Sequence, residues 1–262
     1  MEEWLCEFLH QEVLERRGFR RMVVGLSGGV DSSLAAMLAA RALGSDAVEA
    51  FLLPADVSSS ESREHALQVA ELAGVGTRTI EITPAVDGYL GEHEPEASDR
   101  RRGNVMARQR MVVLYDQAMK LDALPLGTGN KSERLLGYFT WHADDAPAVN
   151  PLGDLLKTQV RQLARHVGVP GEIVEKPPSA ELEPGQSDED DLGVGYREAD
   201  LVLHHLLRGF DPEDLVAAGF EARVVGIVHR RLEDTHWKRR PPTVAMVSDT
   251  AIGDWYLRPV DY

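Results

Sequence analysis

The spacing of apolar residues switches repeatedly between two periods along this chain. Residues 3–17 set Trp4, Leu5, Phe8, Leu9 and Val13 on one stripe, which predicts an amphipathic helix. The compact apolar run at 21–26 predicts a strand, and Leu34, Met37 and Leu38 predict a helix over 31–43. "AVEAFLLP" (47–54) predicts a second strand ended by Pro54. "SSSESREHALQVAELAG" (58–74) has a serine run, an acidic first turn and Gly74 at its end, the marks of a capped helix. "TRTIEI" (77–82) predicts a third strand, followed by a charged loop, "GEHEPEASDRRRG" (91–103), and a helix over 104–121. "DALPLGTG" (122–129) predicts a fourth strand with a glycine-rich exit, and "AVNPLGD" (148–154) a short fifth strand before a helix over 157–167. Residues 175–195 are rich in Pro, Gly and acid without periodicity, which predicts a mobile loop suited to a lid. Helices are expected at 196–207 and 221–232, and the tail 243–262 has no assignment.

Strands alternating with helices predict an α/β fold, a parallel sheet covered on both faces, with the N-terminal helix 1–18 and the C-terminal helices from 196 added to a core of 19–175. No internal repeat or second domain is expected. Ligands of such sheets bind beyond the carboxyl ends of the strands. "GLSGG", "LLPADVS" and "LGTGNKSE" all fall there.

Composition and charge narrow the partners. The chain has 262 residues, 43% hydrophobic and 27% charged, with no apolar run near the ~20 residues of a membrane span. Its acidic N-terminus does not read as a signal peptide, so a cytoplasmic location is expected. The single Cys6 excludes an internal disulfide. A net charge of −15 speaks against a broad nucleic-acid surface, although "RRGNVMARQR" (101–110) and "HWKRRPP" (236–242) are local basic clusters that suit a small anionic ligand.

The stretch "VVGLSGGVDSSLAAMLAA" (23–40) carries the sharpest chemical signal. A strand running into glycines at a helix N-terminus lets backbone N–H groups approach a phosphate, and the helix dipole favours the anion. A plain tight turn would account for the glycines and one serine, but not for Ser27, Asp31, Ser32 and Ser33 together. No Lys-Ser/Thr follows the glycines, so the loop is not a Walker A motif, and the G-x-G-x-x-G spacing is missing as well.

"SGGVDSS" resembles the pyrophosphate loop of the ATP pyrophosphatase superfamily. Six further motifs in order, "GNVMARQRM", "GTGNKSE", "GYFT", "PLGDLLKTQVRQLA", "KPPSAEL" and "SDEDDLG", extend the resemblance to ammonia-dependent NAD synthetases over residues 20 to 242. That resemblance implies a Rossmann-like (adenine nucleotide alpha hydrolase-like) fold, a homodimer, and ATP- and Mg²⁺-dependent amidation of nicotinic acid adenine dinucleotide by free ammonia through an adenylate, without a glutaminase domain. It implies that Gly25, Leu26, Ser27, Gly28, Gly29, Val30, Asp31 and Ser32 bind ATP phosphates, and that Thr128, Lys157 and Ser179 contact ATP. Asp31 and Glu133 are implied as Mg²⁺ ligands, Asp31 and Lys157 as catalytic residues, and Arg108 as a contact to the dinucleotide across the dimer interface.

Three positions depart from the family pattern. Where the family reads "GYFTKYGDG" with a substrate-touching Lys, this chain reads "GYFTWHADD", with Trp141. Seven residues on, a substrate-binding Asp is replaced by Ala148. The C-terminal His-Lys pair becomes "HWKRRPP": either Trp237 replaces the His, or one residue is inserted and His236 serves, followed by Lys238. A Trp for a Lys deletes a charge and offers a stacking plane. Two rival readings follow: a paralogous adenylating ligase acting on another carboxylate, and a nucleotide sensor, the latter disfavoured by two retained carboxylates.

Overall fold

The computed structural model describes residues 1–183, 185–240 and 243–247. Helix α1 (Glu2–His10) runs on as a π-helical turn, Gln11–Arg16. Then come β1 (Met22–Gly25), α2 (Val30–Leu43), β2 (Val48–Leu52), α3 (Ser60–Ala73), β3 (Gly76–Thr79), α4 (Thr83–His93) and α5 (Asp99–Leu121). The second half holds β4 (Leu124–Pro125), α6 (Lys131–Leu136), α7 (Lys157–Val167), α8 (Gly171–Glu175), α9 (Asp188–Leu192), α10 (Tyr196–Leu206), α11 (Pro212–Ala217) and α12 (Ala222–Asp234).

The four strands form one parallel sheet in the order β3-β2-β1-β4. The chain winds outward from β1 through β2 to β3, then returns to lay β4 on the other side of β1. That reversal opens a crevice beyond the carboxyl ends of β1 and β4, the usual ligand position in open α/β sheets. Side chains alternate across the sheet as the pleat requires. Val23 and Phe51 pack with Ile82, Val86 and Met106 of the α4–α5 layer. Met22, Val24, Ala50 and Leu52 pack with Leu34 and Leu38 of α2, Val160 of α7 and Leu5 and Leu9 of α1. A separate apolar cluster, including Leu136, Tyr196, Leu203 and Val225, joins α6, α10 and α12. Burying a Leu or Phe contributes roughly 1.5–3 kcal/mol.

The expected α/β architecture is present, with shifted boundaries. Trp4, expected on the buried stripe of α1, is exposed, whereas Leu5, Leu9 and Val13 are buried. The fourth strand shrinks to two residues. Pro125 has no N–H to donate, and beyond it Leu126 N–H reaches Val23 O while Gly127 N–H turns to Val149 O. The expected fifth strand is a single parallel bridge, Leu126 with Val149. Helix α5 starts at Asp99, five residues early, because Ser98 caps it by accepting from Arg101 N–H. Helix α4 fills residues 83–90, for which the sequence pattern predicts no element, and the first three residues of the expected charged loop; Pro84 lies in its first turn, where a missing N–H costs nothing. Part of the expected irregular loop, Asp188–Leu192, is helical under a Ser187 cap. Residues 248–262 of the tail lie outside the described residues, as do Pro241 and Pro242. Among the described residues no helix is long and apolar enough to cross a membrane.

Candidate active site

A cleft of about 1150 Å³ opens at the carboxyl ends of β1 and β4. Its wall includes Gly25, Leu26, Ser27, Gly29, Val30, Asp31, Ser32, Thr128, Glu133, Lys157 and Ser179, and, toward the other end, Arg108, Trp141, Trp237 and Lys238. Of the residues singled out in the sequence for the site, Gly28, Ser33, Ala148 and His236 are not in this lining.

The β1–α2 turn is built by its hydroxyls. Ser32 Oγ accepts from Ser27 N–H at 3.2 Å and lies 3.0 Å from Ser27 Oγ. Ser32 and Ser33 hydroxyls both donate to Gly29 O, at 3.1 and 2.7 Å. Both serines are buried, so their hydroxyls shape the loop. The cap residue of α2, Gly29, has no side-chain oxygen, which leaves first-turn N–H groups for an anion. Gly28 packs closely on α3, where only a glycine fits. It has φ +82°, and a Cβ there would stand 2.1 Å from the Ser62 carbonyl oxygen of α3.

Three charged side chains converge beside this turn. Lys157 Nζ donates to Asp31 Oδ2 at 2.6 Å and to Glu133 Oε1 at 3.1 Å. Asn130, fully buried, donates from Nδ2 to Asp31 Oδ1 at 2.8 Å. Its carbonyl oxygen accepts from Glu133 N–H, and Glu133 Oε2 accepts from Asn130 N–H, a reciprocal capping box at the start of α6. The Lys157 side chain is 4% exposed, while Asp31 and Glu133 keep 17% and 18%. The ammonium is thus desolvated and the carboxylates retain an open edge. Burial pushes the Glu133 carboxyl up to about 7, against the lowering effect of Lys157 and with the repulsion of Asp31. For Lys157, burial favours the neutral amine, but Asp31 and Glu133 outweigh it and raise its pKa. The Tyr196 ring lies 5.2 Å from Nζ.

Two carboxylates with open edges suit a hard divalent cation that also takes oxygens from a phosphate ligand. Among the described residues no three His, Cys, Asp or Glu side chains converge as a protein-only metal cage. Asp188, nearby and buried, keeps Oδ1 without a partner, and burial raises its pKa.

The segment expected as a lid lies over α3. Glu181, at φ +48°, accepts from Ser59 Oγ at 3.0 Å and from the Ser62 hydroxyl. Lys176 Nζ donates to Ser62 Oγ at 2.6 Å, and Ser179 Oγ accepts from Glu181 N–H at 3.2 Å.

The opposite end is aromatic and basic. Trp141 and Trp237 meet edge to face, centroids 5.2 Å apart, and His142 stacks on Trp141 at 4.1 Å. Arg108 donates to Trp141 O at 3.2 Å. Lys238 Nζ donates to Gly137 O at 2.6 Å and Phe139 O at 2.5 Å, above the Phe139 ring. Of the two alternatives left open by "HWKRRPP", the cleft takes Trp237; His236 Nδ1 sits 2.6 Å from Glu233 O instead. Sequence reasoning missed Asn130, although Asn-x-x-Glu in "NKSE" is a capping-box signature. It also gave no role to Asp188, although the motif "SDEDDLG" contains it, and missed Tyr196, which no local pattern marks.

The NAD synthase family model matches residues 1–242. A Trichlorobacter lovleyi protein named NH(3)-dependent NAD(+) synthetase is 47% identical over 249 residues, covering 95% of this chain and 90% of that one. The structure of an NMN synthetase from Francisella tularensis superposes with TM-score 0.82 at 32% identity, over 93% of this chain and 96% of that one. An NH3-dependent NAD synthetase from Campylobacter jejuni, in complex with nitrate, superposes with TM-score 0.80 at 28% identity, covering 94% and 97%. Matched by the family model over residues 1–242 and by a relative 47% identical along nearly its whole length, the chain belongs to the NAD synthase family.

Proposed function

We propose that this protein amidates nicotinic acid adenine dinucleotide to NAD, using ATP and free ammonia and releasing AMP and pyrophosphate. The observation that carries the reading is the Asp31–Lys157–Glu133 cluster set against the uncapped start of α2 at the sheet's reversal point. The loop N–H groups hold the departing pyrophosphate, with Thr128 and Ser179 along the ATP side of the cleft. Asp31 and Glu133 hold Mg²⁺, which supplies Lewis-acid neutralisation of phosphate charge. The Lys157 ammonium adds positive charge where negative charge builds up on the phosphates. The substrate carboxylate attacks the α-phosphorus, and ammonia then attacks the acyl carbon and displaces AMP.

Arg108, Trp141, Trp237 and Lys238 form the acceptor end, with a ring stacked on Trp141 in place of a salt link to a Lys. A homodimer is supported by the exposure of Val112, Tyr115 and Met119 at helical spacing along α5, with Tyr115 at the cleft rim. The protein acts in the cytoplasm on small molecules, without nucleic acid.

The test is NAD formation, read by mass spectrometry, with ATP, Mg²⁺, ammonium and the dinucleotide acid. NAD formed in step with pyrophosphate supports the reading. Nicotinic acid mononucleotide is run in parallel because of the likeness to an NMN synthetase. Product from the mononucleotide alone moves the acceptor to that smaller acid, and background pyrophosphate with both acids points to another carboxylate.

A further inference from the structure

Helix α7 opens on a lysine, and its cap residue, Leu156, carries no oxygen. First-turn N–H groups need acceptors, and the positive end of a helix repels a cation placed there. One carboxylate from a distant helix answers both demands. Asp200 in α10 is 3% exposed and lies outside the cleft lining. Its Oδ2 accepts from Thr158 N–H at 2.9 Å, and its Oδ1 accepts from the Ser132 hydroxyl. Ser132 Oγ in turn accepts from Lys157 N–H at 2.9 Å. Ser132 stands in α6 immediately before Glu133, so one buried side chain ties together the starts of α6 and α7, the two helices that deliver Glu133 and Lys157.

Resting on the proposed reaction, we propose that Asp200 is a positioning residue that, through Ser132 and the Thr158 N–H, holds the Lys157 ammonium in reach of the phosphates. Asp200 touches no reacting group. Its effect comes from fixing where α7 begins, and it falls on turnover, with ATP affinity carried mainly by the loop at 25–32.

The test compares Asp200→Ala, Asp200→Asn and Ser132→Ala with the unaltered enzyme. In Asp200→Ala, kcat for NAD formation falls about 100-fold, the scale of a roughly 1 Å misplacement, while KM for ATP stays within about threefold. Asp200→Asn keeps an acceptor oxygen and recovers at least about tenfold of that loss. A kcat within about threefold of the unaltered enzyme, a change in KM alone, or an Asn variant no better than Ala overturns the proposal. Should Asp200→Ala fail to fold, Ser132→Ala decides: kcat about tenfold lower supports positioning, and an unchanged kcat overturns it. Amide hydrogen exchange provides a reading independent of turnover. In Asp200→Ala, or in Ser132→Ala if the former is unfolded, the Lys157 and Thr158 amides exchange at least about tenfold faster while Leu163 and Ala164 hold; equal exchange overturns the proposal. If the unaltered chain forms no NAD, the functional reading falls and the exchange result still decides the role of Asp200.

Discussion

Lys157 and Asp31 lie 126 residues apart in sequence, and their charged atoms stand 2.6 Å apart between the sheet edge and the start of α7. Asp31 also takes a hydrogen bond from Asn130, so both its oxygens are held. Asp31→Asn removes a carboxylate from the proposed cation site and half of the Lys157 pairing. Pyrophosphate release is expected to fall by at least ~10²-fold. Near-normal release at saturating Mg²⁺ would show that Asp31 is not a metal ligand.

The raised pKa of Glu133 makes a pH prediction. Its carboxyl titrates near 7 in the folded chain against 4.5 in the unfolded one. Because the folded value is raised, the protonated group contributes stability below about pH 4.5, lost as pH rises through about 7. Cation binding has the opposite sign, since it needs the ionised form. The expected kcat/KM profile therefore rises through a limb near pH 7, and the limb moves to lower pH as Mg²⁺ is raised. A profile flat from pH 6 to 8 at every Mg²⁺ concentration would remove Glu133 from the site.

Gly28→Ala meets two obstacles at once, a positive φ and the Ser62 carbonyl oxygen 2.1 Å from the new methyl. The cost is expected to be about 1–3 kcal/mol or more, with α3 pushed off the loop. Chemical denaturation would register the loss, and ATP binding would weaken with it. An alanine variant of native stability would contradict the close approach.

Trp141→Ala removes the stacking plane at the acceptor end and leaves the phosphate loop untouched. Base–aromatic stacking is worth about 1–3 kcal/mol by alanine substitution, so KM for the acceptor should rise roughly 5- to 150-fold. KM for ATP should not move. Equal effects on both substrates would mean that Trp141 supports the cleft wall rather than the acceptor.

Much of the fold was legible because it rests on local rules. A serine cap drawn from the run at 58–60, Gly74 at the C-terminus of α3 and Lys157 at the first position of α7 all stand where pattern reading placed them. The losses have physical causes. Helix α4 contains Pro84, Gly88 and Gly91, which mask its period, and β4 is held by a neighbouring strand rather than by its own two residues. Within the site, the charged partners were visible as residue types at helix starts. Their mutual contact, the burial of Asn130 and the reach of Asp200 depend on packing between segments far apart in sequence. The bracing of the turn was not legible either: Ser32 and Ser33 both donate to Gly29 O, a contact that only the folded loop shows.

The strand order also sets the order in which this site can come into being. The first three strands and their helices use only residues before about Leu121, and they already contain the glycine turn and Asp31. The partners of Asp31 arrive with Asn130 and then Lys157, 99 and 126 residues later. Contacts of such long sequence separation form late, after a large loop-closure cost in entropy. A chain that ends within 122–132 therefore carries the glycine turn and Asp31 in its sequence without Glu133 or Lys157, the second carboxylate and the cation that stand beside Asp31 in the complete fold.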